Sequence, residues 1–172
     1  MNPILKALST IVLVLLQSQA PTLKELPAVD HPTMVLANEA AVDIATVVGV
    51  YPEEKRVRYA KFLYVFGYYE GGWAASPKGY NDGGRACGVM QVHAKLAIGL
   101  KVLPPSMTCE ALRADRVLGF QAGLLVFIHF ETACKGNLRC ALNGYASGQV
   151  NWGSSFMLPV VKYRCAVGKM DC

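Results

Sequence analysis

The stretch EGGWAASPKGYNDGGRACGVMQVH, residues 70–93, interrupts a chain whose apolar residues otherwise recur at helical spacing. It is rich in glycine and also contains Pro77, Asn81 and Asp82, which favour turns over regular structure. A segment of this length and composition is typical of a surface loop that carries functional residues on a rigid frame. We therefore expect the functional residues of the chain to lie in and around this loop.

Glu70 is the first residue of the loop and follows a predicted helix. That helix begins near Pro52, because proline suits a first turn and the next two glutamates favour its positive end. The segment VRYAKFLYVFGYY then continues it to about Tyr69. The sequence therefore places Glu70 at a helix C-terminus.

The position of Glu70 favours a protonated carboxyl group. Leu63, Phe66 and Gly67 precede it on the same helical face, so the carboxyl group extends an apolar stripe. Burial disfavours a carboxylate, and the partial negative charge of a helix C-terminus disfavours it again. A protonated carboxyl group is what the general acid of glycoside cleavage requires. The position alone is also compatible with a solvated glutamate at a frayed helix end.

Upstream of this helix the pattern divides into a linker and a further helix. Residues 21–37 contain three prolines and no sustained period, which indicates a linker. A helix is predicted from Asn38, a suitable N-cap, with Val42, Ala45 and Val48 along one stripe.

Downstream of the loop the pattern is helical again. We predict a helix over residues 94–100, a second one capped by Thr108, an apolar core helix over residues 117–130, and a last one capped by Asn137. Strand signals are weak. The sequence therefore predicts one mainly α domain over residues 38–172, with a glycine-rich active-site loop, over residues 70–88, or a small β-element.

The first twenty residues are expected to direct export. An apolar run from Ala7 to Leu16 follows a single lysine, which is typical of a signal-peptide core and short for a membrane span. Small residues suit cleavage after Ala20, whereas Pro21 would be a poor residue after the cut. An uncleaved membrane anchor is the alternative, and either interpretation gives a periplasmic, extracellular or membrane-anchored location.

The six cysteines indicate disulfides, because an even number in a small exported chain is typical of an oxidising compartment. Many connectivities are open, and proximity in sequence favours the pairs Cys134–Cys140 and Cys165–Cys172, which leaves Cys87–Cys109. Buried free thiols in a reducing cytoplasm are the alternative.

Sequence motifs and net charge also limit the kinds of ligand that we expect the chain to bind. No CxxC or HExxH motif occurs and the histidines do not cluster, so we expect no metal and no cofactor. The net charge of +5 suits anionic surfaces in general. No basic block with interleaved aromatic residues occurs, which argues against nucleic acid as a partner.

Three blocks of sequence resemble the lysozyme-like domains of lytic transglycosylases and goose-type lysozymes. The first is Glu70 with the loop that leads to Gly88-Val89-Met90-Gln91, similar to the G-[LV]-M-Q segment of that superfamily. The second, LRADRVLGFQAGLLV, looks like its connecting helix, and the third, CKGNLRCALNGYASGQ, resembles its alanine-rich helix that leads to a tyrosine. The blocks occur in the family's order over residues 57–149.

The resemblance implies a role for each matching residue. Glu70 takes the general acid/base position, and Gly88 lets the backbone approach the cleft floor. Met90 and Gln91 line the sugar subsites, by apolar contact and by hydrogen bonding, and the hydroxyl of Tyr145 lies near the catalytic carboxyl group. The ordinary alternatives are a core methionine, an amide that caps the turn and a half-buried aromatic ring.

The implied reaction is cleavage of the β-1,4 bond between N-acetylmuramic acid and N-acetylglucosamine in peptidoglycan, without a cofactor. A second carboxylate that activates water would give hydrolysis, whereas Glu70 acting alone would give the anhydro product of a lytic transglycosylase. Asp82 matches one aspartate of goose-type lysozymes, although Asn-Asp-Gly-Gly is also a strong turn signal. The second aspartate is replaced by His93, a possible substrate contact. These residues favour the transglycosylase slightly.

Departures from the pattern keep other functions open. Gly71 stands where a serine or threonine is usual, and Ala146 replaces the asparagine of a Y-N-A-G signature. A non-catalytic glycan-binding or structural member of the fold is therefore an alternative. A chitin-directed hydrolase is another, because chitin shares the β-1,4 link and the N-acetyl groups. Glu131 is the competing acid, expected to be solvated at the end of the core helix. A phage or secretion-system factor that penetrates the wall would suit the small size of the chain.

Overall fold

The computed structural model describes residues 31–75 and 85–150, together with Ile4. This part of the chain contains six helices and one short hairpin. In chain order they are α1 His31–Val48, α2 Glu53–Gly71, β1 Ala86–Cys87, β2 Val92–His93, α3 Ala94–Gly99, α4 Cys109–Ala114, α5 Arg116–Ala133 and α6 Leu138–Ser147. The prediction of a mainly α chain is confirmed, and the small β-element predicted as one of two possibilities is present. None of the helices described is long and apolar enough to cross a membrane.

Helix α1 begins at His31, seven residues before the predicted cap at Asn38. Proline is tolerated in a first turn, where its missing N–H costs no hydrogen bond, so Pro32 does not prevent the early start. The predicted linker is thus helical over residues 31–37, and residues 21–30 lie outside the described part.

The buried face of α1 agrees with the predicted stripe at Val48 and in part at Ala45, but differs from it at Val42. Val42 is 60% exposed, whereas Ile44 is fully buried. The face that packs against the rest of the domain is rich in alanine and is rotated about the helix axis relative to the predicted stripe. Its residues recur at helical spacing: Ala37, Ala40, Ala41, Ile44, Val47 and Val48. Small residues on this face allow a close approach to the neighbouring helices, which a count of large apolar residues does not detect.

Helix α2 and the apolar helix α5 supply much of the core, as predicted. The ring of Phe62 stacks on that of Phe127, with ring centroids 4.0 Å apart. Phe120 and Phe127 are fully buried in the middle of α5. The predicted caps are confirmed further along the chain: the side chain of Thr108 accepts a hydrogen bond from Ala111 N at 3.1 Å, and that of Asn137 from Cys140 N at 3.0 Å.

The hairpin contains only two residue pairs, Ala86 with His93 and Cys87 with Val92, in antiparallel register. A tight turn joins the strands, in which Gln91 N donates to Gly88 O at 3.1 Å. A hairpin this short has little stability of its own. Its position therefore depends on what it packs against.

Two disulfides join elements of the domain. Cys87–Cys109 links β1 to the start of α4, and Cys134–Cys140 links the end of α5 to the first turn of α6. Both pairs are as predicted, and bonded cysteines indicate an oxidising environment. The pair Cys165–Cys172 lies outside the described residues. So does the predicted export segment apart from Ile4, which is 7% exposed and belongs to the hydrophobic core.

Candidate functional site

A cleft of about 240 Å³ lies between the hairpin and helices α3 and α6 at the C-terminal end of α2. Four of the predicted site residues line it: Glu70, Gln91, His93 and Tyr145. The rest of its lining is mostly apolar and small: Ala86, Val92, Leu96, Ala97, Leu100, Val126, Ala146, Ser147 and Gly148. Residues from four separate segments of sequence thus share one concave site, as a ligand-binding cleft requires.

Glu70 lies in the last turn of α2 and is half-buried. The helix ends directly behind it, because Gly72 adopts a left-handed conformation with φ of 60°. The Gly72 amide donates to Tyr68 O at 2.7 Å, and the Trp73 amide donates to Gly67 O at 3.0 Å. The carboxyl group is therefore attached to a well-formed helix end, in contrast to the frayed end that the sequence left as an alternative.

Trp73 anchors this helix end and was not singled out by the sequence analysis. It is fully buried although its φ is 64°, a left-handed conformation that is uncommon for a bulky residue. Its indole Nε1 donates to Tyr64 O at 2.9 Å, and its ring lies between those of Tyr64 and Tyr68, at centroid distances of 4.7 and 4.8 Å. The sequence feature that could have identified this anchor is a tryptophan directly after two glycines, three residues beyond Glu70.

Tyr145 joins the helical side of the cleft to the hairpin. Its hydroxyl donates to the carbonyl oxygen of Met90 at 2.7 Å, and its ring meets those of Phe62 and Phe66 edge to face. Burial, followed by the nearby charge of Glu70, raises the pKa of Tyr145 well above its usual value. The predicted proximity of Tyr145 and Glu70 is therefore present. Because a phenol has one proton and Met90 O accepts it, the same oxygen can only accept from a further partner.

Gln91 and His93 form the hairpin side of the cleft. Gln91 has a positive φ of 46°, and its Nε2 donates to Gly88 O at 2.8 Å. The side chain thus caps the turn and also lines the cleft. Its amide oxygen and its second amide hydrogen can still bond to other partners. His93 is exposed at the start of α3, next to its strand partner Ala86.

Two predicted roles are corrected by the structure. The side chain of Met90 does not line the cleft: it is fully buried, and a methyl group added to Gly123 would lie 2.6 Å from its Cβ. Gly88 does allow a close backbone approach, but towards α4, since an added Cβ would lie 2.5 Å from Leu112 O. Turn geometry and packing behind the hairpin direct both residues away from the cleft.

The competing acid, Glu131, is engaged elsewhere. Its carboxylate pairs with Arg58 at 2.6 Å and accepts a hydrogen bond from the Tyr59 hydroxyl at 3.2 Å. Burial and then the charge of Glu131 raise the pKa of Tyr59 to about 12. With a side chain only 14% exposed, Glu131 is not the solvated residue that we expected. It joins α5 to α2 and is not among the residues that line the cleft.

Asp82, the candidate water-activating carboxylate, lies outside the described residues. Within residues 31–75 and 85–150, no group of three or more His, Cys, Asp or Glu side chains could hold a metal ion. Comparison of the chain with protein-family models, with curated proteins and with solved structures finds no match.

Proposed function

We propose that this chain is a peptidoglycan-cleaving glycosidase of the lysozyme-like fold, acting as a lytic transglycosylase with Glu70 as general acid and base. The observation that carries the proposal is the convergence of Glu70, Gln91, His93 and Tyr145 on one cleft. The resemblance that suggested the enzyme rests on separate blocks of sequence, and residues of the first and third blocks meet in the folded chain.

The surroundings of Glu70 support its role as an acid. The carboxyl group is half-buried at a helix C-terminus, near the partly buried Tyr145. Both burial and the helix end disfavour the carboxylate form. Since the Tyr145 proton is donated to Met90 O, its oxygen offers lone pairs, which suit a protonated partner. Glu70 would first protonate the glycosidic oxygen and then, as carboxylate, accept the proton of the attacking hydroxyl group.

The cleft lining supports a glycan substrate. Apolar side chains such as Leu96 and Val126 offer contact to sugar rings and to N-acetyl methyl groups, while the Gln91 amide offers hydrogen bonds to hydroxyl and carbonyl groups. Ala146 is exposed on the cleft wall, at the position where the family signature has an asparagine. Contacts in that subsite therefore come from other residues, and a purely glycan-binding role is the second candidate.

Glu70 is the single carboxylate among the described residues of the cleft lining. A water-activating carboxylate would have to come from beyond these residues, and Asp82 is the sequence candidate. If Asp82 serves in this way, the enzyme is a goose-type muramidase. An exported location agrees with the disulfides, which form in oxidising compartments.

The test is digestion of purified peptidoglycan by the full chain and by Glu70→Gln, with product ends identified by mass. We expect anhydro ends, and a rate that falls at least ~100-fold in the variant because proton transfer is lost. Glu54→Gln, an exposed change at the other end of the same helix, is the matched control and should retain the rate.

Each product has a defined meaning. Reducing ends that decline in Asp82→Asn would identify a muramidase, and cleavage that survives Glu70→Gln would exclude the acid/base assignment. Binding of peptidoglycan without cleavage by the unaltered chain would favour the binding role. Cleavage of chitin in preference to peptidoglycan would identify the chitin-directed alternative.

A further inference from the structure

The hairpin that forms one wall of the cleft has little structure of its own. It consists of two-residue strands, yet it contributes Ala86, Gln91, Val92 and His93 to the cleft lining. It also supplies the Met90 carbonyl that accepts the Tyr145 hydroxyl hydrogen bond. Displacement of the hairpin would therefore remove a wall of the cleft and a partner of Tyr145 together.

Three of the contacts that attach the hairpin to α4 come from β1 and from the turn that follows it. Gly88 packs directly against the Leu112 carbonyl, and Arg113 Nη2 donates to Ala86 O over a long 3.4 Å. The third contact is the Cys87–Cys109 disulfide, with its Cα atoms 5.3 Å apart. It is the one covalent link among the three.

Helix α4 cannot hold the hairpin by itself. It has six residues, and isolated helices of that length are not stable in water. The disulfide thus joins two elements that are each too short to be stable alone, across a separation of 22 residues. Loss of such a crosslink frees both partners.

The second disulfide provides a contrast within the same chain. Cys134–Cys140 closes a separation of only 6 residues at the turn between α5 and α6. The helices on either side pack through buried side chains such as Phe130 and Leu142. This bond lies at the opposite end of α6 from Tyr145, and neither cysteine lines the cleft.

We propose that the Cys87–Cys109 disulfide is a redox latch that assembles the cleft, so that the dithiol form keeps the helical fold but lacks the working site. The activity part of this inference rests on the proposed function, and the structural part does not. A wall-cutting enzyme with this latch would be inactive in the reducing compartment where it is made and active after export.

The latch closes by thiol–disulfide exchange with a small-molecule or protein disulfide. In the disulfide-bonded form Cys109 is partly exposed and Cys87 is 1% exposed, and we take Cys109 as the thiol at which the exchange begins. Its thiolate attacks the oxidant and releases one thiol. The Cys87 thiolate then attacks the Cys109 sulfur and releases the second thiol. Two cysteine thiols are oxidised to one disulfide while one oxidant disulfide is reduced to two thiols.

The test compares two full-length double variants in a Cys165→Ser, Cys172→Ser background. One is Cys87→Ser, Cys109→Ser, and the matched control is Cys134→Ser, Cys140→Ser. Amide hydrogen exchange is followed over residues 86–93 and over α5, and peptidoglycan cleavage is measured on the same samples.

In the first variant we expect exchange over residues 86–93 to accelerate roughly tenfold or more while α5 remains protected, and cleavage to fall at least tenfold. In the control, the exchange over residues 86–93 and the rate of cleavage should stay near those of the parent chain that carries only Cys165→Ser and Cys172→Ser. Dithiothreitol should inactivate the control, in which Cys87–Cys109 is the remaining described disulfide, and oxidised glutathione should restore it.

Unchanged exchange over residues 86–93 in the first variant would overturn the latch. Equal losses of cleavage and of hairpin protection in both variants would do the same. The first variant could also lose protection in α5, and the substitutions would then have disturbed the whole fold. In that case the control is reduced with dithiothreitol and its exchange is measured. Hairpin protection that is retained in the reduced control would reject the latch. A parent that cuts no glycan while the hairpin exchange responds as expected would refute the proposed function and leave the latch standing.

Discussion

The helical wall of the cleft, which carries Glu70 and Tyr145, and the hairpin wall, which carries Gln91 and His93, are held in place by different means. Behind the helical wall lie stacked aromatic rings of the core, such as Phe62 on Phe127 at 4.0 Å. The hairpin wall depends on a disulfide, on close backbone contact with a six-residue helix and on the burial of Met90 against α5.

This difference separates two demands on the site. Under the proposed function, the carboxyl group that transfers the proton must be held accurately, and a packed core provides that rigidity. Residues that bind substrate can lie on a thinner element, which can then be controlled separately. The comparison predicts that changes behind the helical wall will reduce global stability, whereas changes behind the hairpin wall will mainly affect the site.

The largest effect is expected for Gly144→Ala on the helical wall. The added Cβ would lie 2.4 Å from Phe130 Cδ1 and 2.7 Å from its Cγ, so rotation of the ring cannot relieve the contact. We expect a loss of about 3 kcal/mol in the free energy of unfolding, measured by urea denaturation. Because Tyr145 is the next residue, cleavage should fall with stability.

Gly99→Ala is the matched control, since an added Cβ at this helical position meets nothing within 4 Å. Its stability should change by no more than about 0.5 kcal/mol. Equal effects of the two substitutions would show that the α5–α6 contact is looser than the structure indicates.

A smaller effect on stability is expected for Gly88→Ala on the hairpin wall. The residue has a φ of 68°, and its Cβ would lie 2.5 Å from Leu112 O, so the hairpin must move away from α4. The left-handed conformation and the contact together should cost about 2 kcal/mol. Substrate affinity should fall by a larger factor than global stability explains, as titration with soluble peptidoglycan fragments would show. A loss of stability as large as that of Gly144→Ala would mean that the two walls form one cooperative unit.

The smallest effect is expected for Tyr145→Phe, which removes a hydrogen bond between the walls. The Met90 carbonyl loses its donor at 2.7 Å while the ring contacts are kept. We expect a loss of about 1 kcal/mol in stability and a roughly tenfold slower cleavage, equivalent to ~1.4 kcal/mol in the activation barrier. Tyr68→Phe, a half-buried tyrosine outside the cleft lining, is the control. Unaltered cleavage in Tyr145→Phe would show that the hydroxyl does not position the site.

Much of the helical frame could be predicted because its signals are local. The caps at Thr108 and Asn137 depend on a side chain and an amide three residues away. The end of α2 near Glu70 follows from the glycines behind it, one of which is left-handed at Gly72. Proximity in sequence suggested the Cys134–Cys140 disulfide, and Cys87–Cys109 was the pair left over; the structure contains both.

Other features depend on contacts between distant residues. Glu131 was expected in solvent because its neighbours in sequence are polar, yet Arg58 and Tyr59 reach it from α2. The exposed Val42 is a second example, because the side of a helix that becomes buried depends on the helices that cover it. Trp73 was overlooked because its left-handed backbone depends on contacts that only the folded chain shows, with the rings of Tyr64 and Tyr68 and with the Tyr64 carbonyl oxygen.

The sequence by itself determined most of the helices, the caps at Thr108 and Asn137, and the placement of a carboxyl group at the end of α2, because these depend on residues within a turn or two of each other. Only the tertiary structure decided which side chains face the cleft. Met90 and Gln91 are adjacent, and the first packs into the core while the second lines the cleft. The direction of each side chain in a tight turn depends on what lies behind the turn, and here that is α5 and the disulfide-linked α4.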